Sequence, residues 1–124
     1  VIIKPDAIQR GLSGEIIKRY EQKSLKIVGM KMVQIKEAIL REHYAHVVDR
    51  PFFKELSQFM GTGPVVVLAL EGLNAVEIVR TISGTDNFQL GSIRGDFAVS
   101  FQRNLVHSSD SIEAAKEEIS RFFE

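Results

Sequence analysis

The chain has 124 residues, of which 44% are hydrophobic and 26% charged, and this size and composition predict one compact domain over residues 1–124. It has no cysteine, which excludes a disulfide framework, a thiolate zinc site, an iron–sulfur cluster and a cysteine nucleophile. Its 16 basic side chains balance its 16 acidic ones, so a long-range attraction for nucleic acid or anionic membranes is excluded and any anion site must be a local cluster.

Glycine and proline divide the first half of the chain into short segments. Pro5 ends the first apolar run, Ser13 is placed to cap a helix, and Pro51 separates two helical patterns. The predicted elements are a strand over Val1–Ile3, a helix from Ser13 to about Lys23, a strand over Leu25–Ile35, and helical segments over Glu37–Val47 and Phe52–Met60.

The second half contains the strongest strand signal, an apolar run that ends at Gly72. Asn74 and Asp110 are each followed three residues later by a glutamate, a spacing that predicts a capped helix start. The predicted elements are a strand over Val65–Leu70, a helix over residues 74–82, a loop over Gly84–Gly95, a short strand over Phe97–Phe101 and a last helix after Asp110. The stripe of that helix expected to face the core is Ile112, Ala115, Ile119 and Phe122.

The order of predicted elements is β, α, β, two helical segments, β, α, β, α. Two helical segments between the second and third strands favour a split βαβ sandwich over a doubly wound parallel sheet. The predicted fold is therefore α/β of the α+β, ferredoxin-like kind, with a four-stranded antiparallel sheet and helices on its faces. Enzymes, regulatory modules and RNA binders all use this architecture, so function must be argued from individual residues.

Neither of the two commonest phosphate-binding loops, the Walker A pattern and G-x-G-x-x-G, occurs in this chain. Lys4 follows a predicted buried strand, where the ordinary role of a lysine is to reach solvent, and a role in function is the alternative. Arg94 could pair with Asp96, but the adjacent Gly95 would let the backbone approach an anionic ligand. Arg80 has the ordinary interpretation of a solvated charge on a helix.

His107 is the most informative polar residue, because it lies on a predicted connector just ahead of the last helix. A histidine there can be a nucleophile, a general base, a metal ligand or a structural residue. His43 and His46 have the spacing of two zinc ligands, with His107 or Asp49 as further ligands, although this spacing is common by chance and no metal site is predicted.

Eight short motifs follow one another along the chain: Ile2–Asp6, Gln9–Leu12, Gly14–Ile17, Glu42–Tyr44, Arg50–Phe53, Gly63–Val66, Ser92–Phe97 and Asn104–Ser111. Together they resemble the nucleoside diphosphate kinases, from the first residue to the last helix. The resemblance implies transfer of the γ-phosphate of a nucleoside triphosphate, typically ATP, to a nucleoside diphosphate. The transfer would be ping-pong, through a phosphohistidine at the position of His107.

The resemblance also implies roles for other residues. Glu118 matches the glutamate that orients the histidine, Ser109 matches a serine that supports this pair, and Tyr44 matches the tyrosine beside the phosphohistidine. The residues matching phosphate and ribose contacts are Lys4, Arg80, Arg94 and Asn104. Phe52, which from position alone would ordinarily be a core residue like Phe53, matches the side chain that stacks on the base. Mg²⁺ would be bound mainly through the nucleotide phosphates.

Departures from the family pattern concern the predicted loop and the chain ends. Gly84–Gly91 is shorter than the corresponding loop and lacks its prolines, so either Thr85 or Asp86 could contact phosphate. The resemblance implies a homo-oligomer, a hexamer or a tetramer. The chain begins at Val1 without an initiator methionine and stops at Glu124 without the family's tail, so further residues are expected at the ends.

The competing interpretation is a non-catalytic regulatory or scaffold module with the same fold. A nucleic-acid-binding domain is disfavoured because the chain lacks a basic face and the aromatic pattern of an RNA-recognition strand. No apolar run is long enough to span a bilayer and no targeting segment is recognisable, which predicts a cytoplasmic protein without a membrane partner.

Overall fold

The structure is a computed structural model and describes residues 1–123. Its strands are β1 (Ile2–Ile3), β2 (Lys26–Val33), β3 (Val65–Glu71) and β4 (Val106–His107). Its helices are α1 (Pro5–Gln9), α2 (Ser13–Gln22), α3 (Glu37–His43), α4 (Phe53–Met60), α5 (Ala75–Ser83), α6 (Ile93–Phe97) and α7 (Ile112–Phe123), with a short 3₁₀ helix at Ala45–Val47. Within the described range, none of the helices has the length and apolar character that a membrane span requires.

The strands of the described chain form one antiparallel sheet in the order β2-β3-β1-β4. The short strand β1 lies in its centre, with Ile2 opposite Val67 of β3 on one side and opposite His107 of β4 on the other. The predicted four-stranded antiparallel sheet is confirmed.

Helices cover both faces of this sheet. Because successive side chains of β3 point to opposite faces, the strand contributes to a core on each side. Val66 and Leu68 join a core that includes Ile16 and Tyr20 of α2. The intervening strand residues Val65 and Val67 join a second core on the opposite face, whose other buried members include Leu40, Met60 and Phe122. The continuous apolar run of β3 is therefore the sequence signature of a strand buried on both faces.

The predicted strand over Phe97–Phe101 is wrong, and the fourth strand lies later in the chain. Residues 93–97 form α6, whose start is capped by Ser92, since its Oγ accepts a 3.0 Å hydrogen bond from the backbone N–H of Gly95. The fourth strand is Val106–His107, and pairing with β1 creates it. His107 consequently lies on the sheet and not on a connector.

The predicted helix caps are also wrong. Ser13 is already the first residue of α2, and Asn74 adopts a left-handed backbone (φ 55°) without capping α5 through its side chain. At the start of α7 the cap is Ser111 in place of Asp110, because Oγ of Ser111 accepts a 3.0 Å hydrogen bond from the N–H of Ala114. An N-cap side chain acts only from an extended backbone at the right position, which spacing alone does not guarantee.

The predicted core stripe of α7 is correct at one end only. Phe122 is buried, whereas Ile112 and Ile119 are exposed. Ala115, the remaining member of the predicted stripe, is half-buried, so the last turn of the helix supplies its buried core residue.

Candidate active site

The side chains of His107 and Glu118 meet where β4 ends and α7 crosses the sheet. Nε2 of His107 lies 3.1 Å from each carboxylate oxygen of Glu118. An ionised carboxylate only accepts hydrogen bonds, so Nε2 carries the proton and donates it. Nδ1 of His107 then keeps its lone pair, which makes this atom a candidate nucleophile.

Glu118 is held in its ionised form. Burial alone would raise the pKa of this carboxyl, but the hydrogen bond and charge of His107, together with a hydrogen bond from Oγ of Ser109, outweigh burial and lower the pKa. Burial lowers the pKa of His107, against an opposing pull from Glu118. The imidazole is therefore neutral at neutral pH.

Lys4 lies between β1 and α1 and is buried. Its Nζ donates a 2.7 Å hydrogen bond to Oδ1 of Asn104, and its backbone N–H donates to the carbonyl of Leu105 at 2.8 Å. Burial lowers the pKa of Lys4 to about 8, with a further contribution from the charge of Arg94, while Asp6 opposes both. The ammonium group is thus charged at neutral pH although it lies inside the protein.

Arg94 lies on α6 with its guanidinium anchored by backbone. Nη1 donates to the carbonyl of Gly84 at 2.6 Å, and Nη2 donates to the carbonyl of Val106 at 2.5 Å. Burial lowers the pKa of Arg94; Tyr20 opposes this effect, and the nearby charge of Arg80 adds to it. The charge of Arg94 also lowers the pKa of Lys4. Lys4, Arg80 and Arg94 therefore form one cluster of positive charge, which a bound anion would stabilise.

Asp96 is not the partner of Arg94. Its carboxylate accepts a 2.8 Å hydrogen bond from Nη1 of Arg19 on α2 and another of 2.8 Å from the N–H of Gly91. These two interactions tie residues 91–96 to α2 and leave the guanidinium of Arg94 directed towards backbone near β4.

Two glycines allow the 84–91 loop to close onto α6. Gly84 has φ +92°, and a Cβ there would lie 2.3 Å from Oγ of Ser92; a Cβ on Gly95 would lie 1.9 Å from the carbonyl oxygen of Gln89. Neither position has room for a side chain. The close packing is what brings the carbonyl of Gly84 to Arg94.

The remaining predicted residues lie at helix ends. Tyr44 follows α3, and burial together with Glu118 raises the pKa of its phenol to about 12. Phe52 immediately precedes α4 and is 47% exposed, whereas its neighbour Phe53 is a core residue. Of these two aromatic residues, Phe52 alone is available to a ligand.

His43 lies beside His107, the pairing that the zinc hypothesis had raised. Its ring lies edge-to-face against the ring of His107, with centroids 4.6 Å apart. Possible ligand atoms of His43, His107 and Glu118 lie within 4.8 Å of one another, but Arg121 donates a 2.9 Å hydrogen bond to Nδ1 of His43 and would have to leave before a cation could use that nitrogen. The other two residues of the zinc hypothesis, His46 and Asp49, do not belong to this cluster.

Comparisons with known proteins agree with this geometry. The family model described as nucleoside diphosphate kinase matches residues 1–124. Nucleoside diphosphate kinase A of Rattus norvegicus is 50% identical over 100% of this chain and 84% of the relative, and the nucleoside diphosphate kinase of Parabacteroides distasonis is 49% identical over 99% and 82%. A solved structure of the Halobacterium salinarum nucleoside diphosphate kinase in complex with CDP matches 99% of this chain and 84% of its own, with a TM-score of 0.95 and 43% identity.

Proposed function

The chain belongs to the nucleoside diphosphate kinase family and is a phosphotransferase, and we propose that it transfers the γ-phosphate of ATP to nucleoside diphosphates through a phosphohistidine at His107. The observation that carries this mechanism is the hydrogen bonding of His107 Nε2 to both oxygens of Glu118. It leaves Nδ1 as the free nucleophilic nitrogen of a neutral ring. The intact cluster does not favour the non-catalytic alternative.

The first half-reaction forms a bond between Nδ1 of His107 and the γ-phosphorus while the bond from that phosphorus to the β–γ bridging oxygen breaks. The nucleoside diphosphate leaves with both electrons of the broken bond. Glu118 stabilises the positive charge that develops on the ring, since its carboxylate accepts from Nε2–H. In the second half-reaction a terminal oxygen of another nucleoside diphosphate attacks the phosphorus, and the lone pair returns to Nδ1.

Lys4, Arg80 and Arg94 would neutralise the phosphates as charge moves between the oxygens. Phosphoryl transfer requires mostly positioning and charge stabilisation, which this cluster of like charge is suited to provide. The amide of Asn104 would contact phosphate or ribose beside Lys4, and the phenol of Tyr44 would border the phosphohistidine. Phe52 would stack on the base, and stacking tolerates every base.

Mg²⁺ would accompany the nucleotide. The donor set around the phosphate position is cationic, so it repels a free divalent cation and suits one that arrives on polyphosphate oxygens. When bound there, the ion would share the phosphate charge with Lys4 and the arginines. The cytoplasmic location expected from the sequence stays a prediction.

Self-association into a hexamer or tetramer is part of the proposal. Strand β2 is one of the two edge strands of the described sheet, and three of its apolar side chains, Val28, Met30 and Met32, are 54%, 57% and 61% exposed. An open edge strand with an apolar row favours contact with another chain. A second copy of this chain is the occupant we propose.

Intact mass spectrometry after incubation with ATP and Mg²⁺ tests the mechanism. We expect one acid-labile phosphate per chain, which disappears when either GDP or CDP is added. His107→Ala should prevent labelling, whereas His46→Ala, which removes an exposed histidine, should not. Circular dichroism establishes that both variants fold. An unlabelled wild-type chain, or labelling that persists in His107→Ala, would contradict the proposal.

A further inference from the structure

Arg121 lies on α7, nearly one turn after Glu118, and its side chain is only 11% exposed. Its Nη1 donates a 2.9 Å hydrogen bond to Nδ1 of His43, and its Nε lies 3.4 Å from Oε1 of Glu42. A guanidinium seldom buries itself against an imidazole, because it gives up hydration to do so. The buried contact between Arg121 and His43 therefore differs from an ordinary surface ion pair.

The hydrogen bond determines the protonation state of His43. A guanidinium can only donate, so Nδ1 of His43 must accept, the ring is neutral and its proton lies on Nε2. Burial lowers the pKa of His43, the charges of His107, Arg121 and His46 lower it further, and Glu118 alone opposes them. His43 thus stays neutral throughout the pH range in which His107 is a nucleophile.

This protonation state matters because His43 lies close to the carboxylate that orients His107. Nδ1 of His43 is 3.8 Å from Oε2 of Glu118, while Nε2 of His107 is 3.1 Å from the same atom. A proton on Nδ1 of His43 would let that ring donate to Glu118 and compete with His107. The Nδ1 atom of His43 cannot carry this proton while Arg121 donates to it.

The ring of His43 is also packed tightly. It meets His107 edge-to-face at 4.6 Å and 76°, Tyr44 at 4.7 Å and Phe122 at 5.5 Å. The ring of His107 therefore packs directly against His43. A change in the tilt of His43 would change the space available to the ring of His107.

We propose that Arg121 is a positioning residue, which keeps Nδ1 of His43 free of a proton and so reserves the Glu118 carboxylate for His107. The inference rests on the proposed phosphohistidine at His107. Arg121 itself does not contact the phosphate in this role. Its effect passes through His43.

The test compares Arg121→Met with Arg121→Lys, which keeps a cationic donor. In the methionine variant, ¹⁵N NMR should show proton occupancy moving onto Nδ1 of His43. The rate of phosphorylation by ATP should fall about tenfold while KM for the nucleoside diphosphate stays unchanged. The acidic limb of the pH–rate profile should move to lower pH, because Glu118 raises the pKa of His107 and would be diverted to His43. Arg121→Lys should restore part of the rate.

Two further variants separate this role from a merely structural one. In a His43→Phe background, replacing Arg121 by Met should have no further effect on rate, since no imidazole remains to be controlled. Arg41→Met removes an exposed arginine of α3 that pairs with Glu37 and lies over the ring of Phe53, and it should leave the pH profile unchanged.

An unaltered His43 tautomer in Arg121→Met, or equal losses in the presence and absence of His43, would overturn the inference. The NMR measurement needs no turnover, so it reports on Arg121 even if His107 proves not to be phosphorylated. Failure of the inference and failure of the proposed function are therefore distinguishable.

Discussion

Nζ of Lys4 and Oδ1 of Asn104, 100 positions apart in the chain, are joined by a hydrogen bond of 2.7 Å. Two further hydrogen bonds reinforce the connection: the backbone N–H of Lys4 donates to the carbonyl of Leu105 at 2.8 Å, and the backbone N–H of Leu105 donates to the side-chain Oδ2 of Asp6 at 3.2 Å. The first strand and the segment before the last strand are thus fastened together beside His107. The cation is held in place before any nucleotide arrives, so little reorganisation is needed on binding.

Replacing Lys4 by Met should lower kcat/KM about 10²–10³-fold, and by similar factors for GDP and CDP, because the ammonium acts on phosphate charge and not on the base. Lys18→Met, an exposed change on α2, is the matched control and should have no effect. Steady-state kinetics with a purine and a pyrimidine substrate measure this. A loss confined to one base would argue against the phosphate role. Arg94→Ala is expected to behave in the same way.

The pH–rate profile of kcat/KM should be bell-shaped. Lys4 contributes only when protonated, so activity should decline as pH rises through its pKa of about 8. His107 contributes only when neutral, and burial lowers its pKa, so the acidic decline should begin below the ordinary range of histidine. In Lys4→Met the alkaline decline should disappear. Its persistence would assign that limb to another group.

Replacing Glu118 by Gln should reduce kcat roughly 10–100-fold, because the charge that holds Nε2–H of His107 is lost. The Glu118 carboxylate raises the pKa of His107 against burial, so its removal should move the acidic limb to lower pH. Glu117→Gln, one residue away and exposed, is the control. An acidic limb that stays in place or moves upward in Glu118→Gln would contradict the assignment.

The buried hydroxyls of Tyr20 and Ser83 should differ in their contributions to stability. Ser83 donates to the carbonyl of Val79 at 2.7 Å, so Tyr20 must be the donor of the 2.8 Å bond between the hydroxyls. Ser83→Ala leaves the phenol of Tyr20 buried without a partner and should cost about 1–3 kcal/mol. Tyr20→Phe leaves Ser83 satisfied and should cost about 1 kcal/mol or less.

Urea denaturation of these two variants and of the double variant measures the difference. If Tyr20→Phe proves the more destabilising change, the donor assignment is wrong. Nucleotide phosphorylation should persist in both, since neither hydroxyl contacts His107.

Self-association through β2 should be sensitive to charge at its apolar row. Met30→Glu places a carboxylate in the middle of this row and should reduce the mass measured by light scattering at micromolar concentration. The side chain is 57% exposed, so the fold should tolerate the change. Leu73→Glu, an equally polar change at an exposed residue outside β2, should leave the mass unaltered. Equal effects of the two variants would place the interface elsewhere.

The local sequence pattern was sufficient to predict those parts of the fold that depend on residues adjacent in the chain. The apolar run Val65–Leu70 predicted a strand, and the strand is buried on both faces, where no polar side is needed. Eight short motifs in the same order, among them those around Lys4, Arg94 and His107, were sufficient to identify the family. The resemblance also singled out Glu118 from the other glutamates of the last helix.

Only the tertiary structure decided features that need a partner distant in sequence. Val106 and His107 are too short a segment to read as a strand, and they become one because β1 pairs with them. Phe97, a residue with strand propensity, is helical because Ser92 caps α6 and the loop closes on Gly95. The contact between Arg121 and His43 joins residues 78 positions apart. Residue spacing within one helix or strand cannot predict such a contact. Long-range pairing and burial override local preference at such positions, which is why the electrostatics of the site could be derived only after the chain was folded.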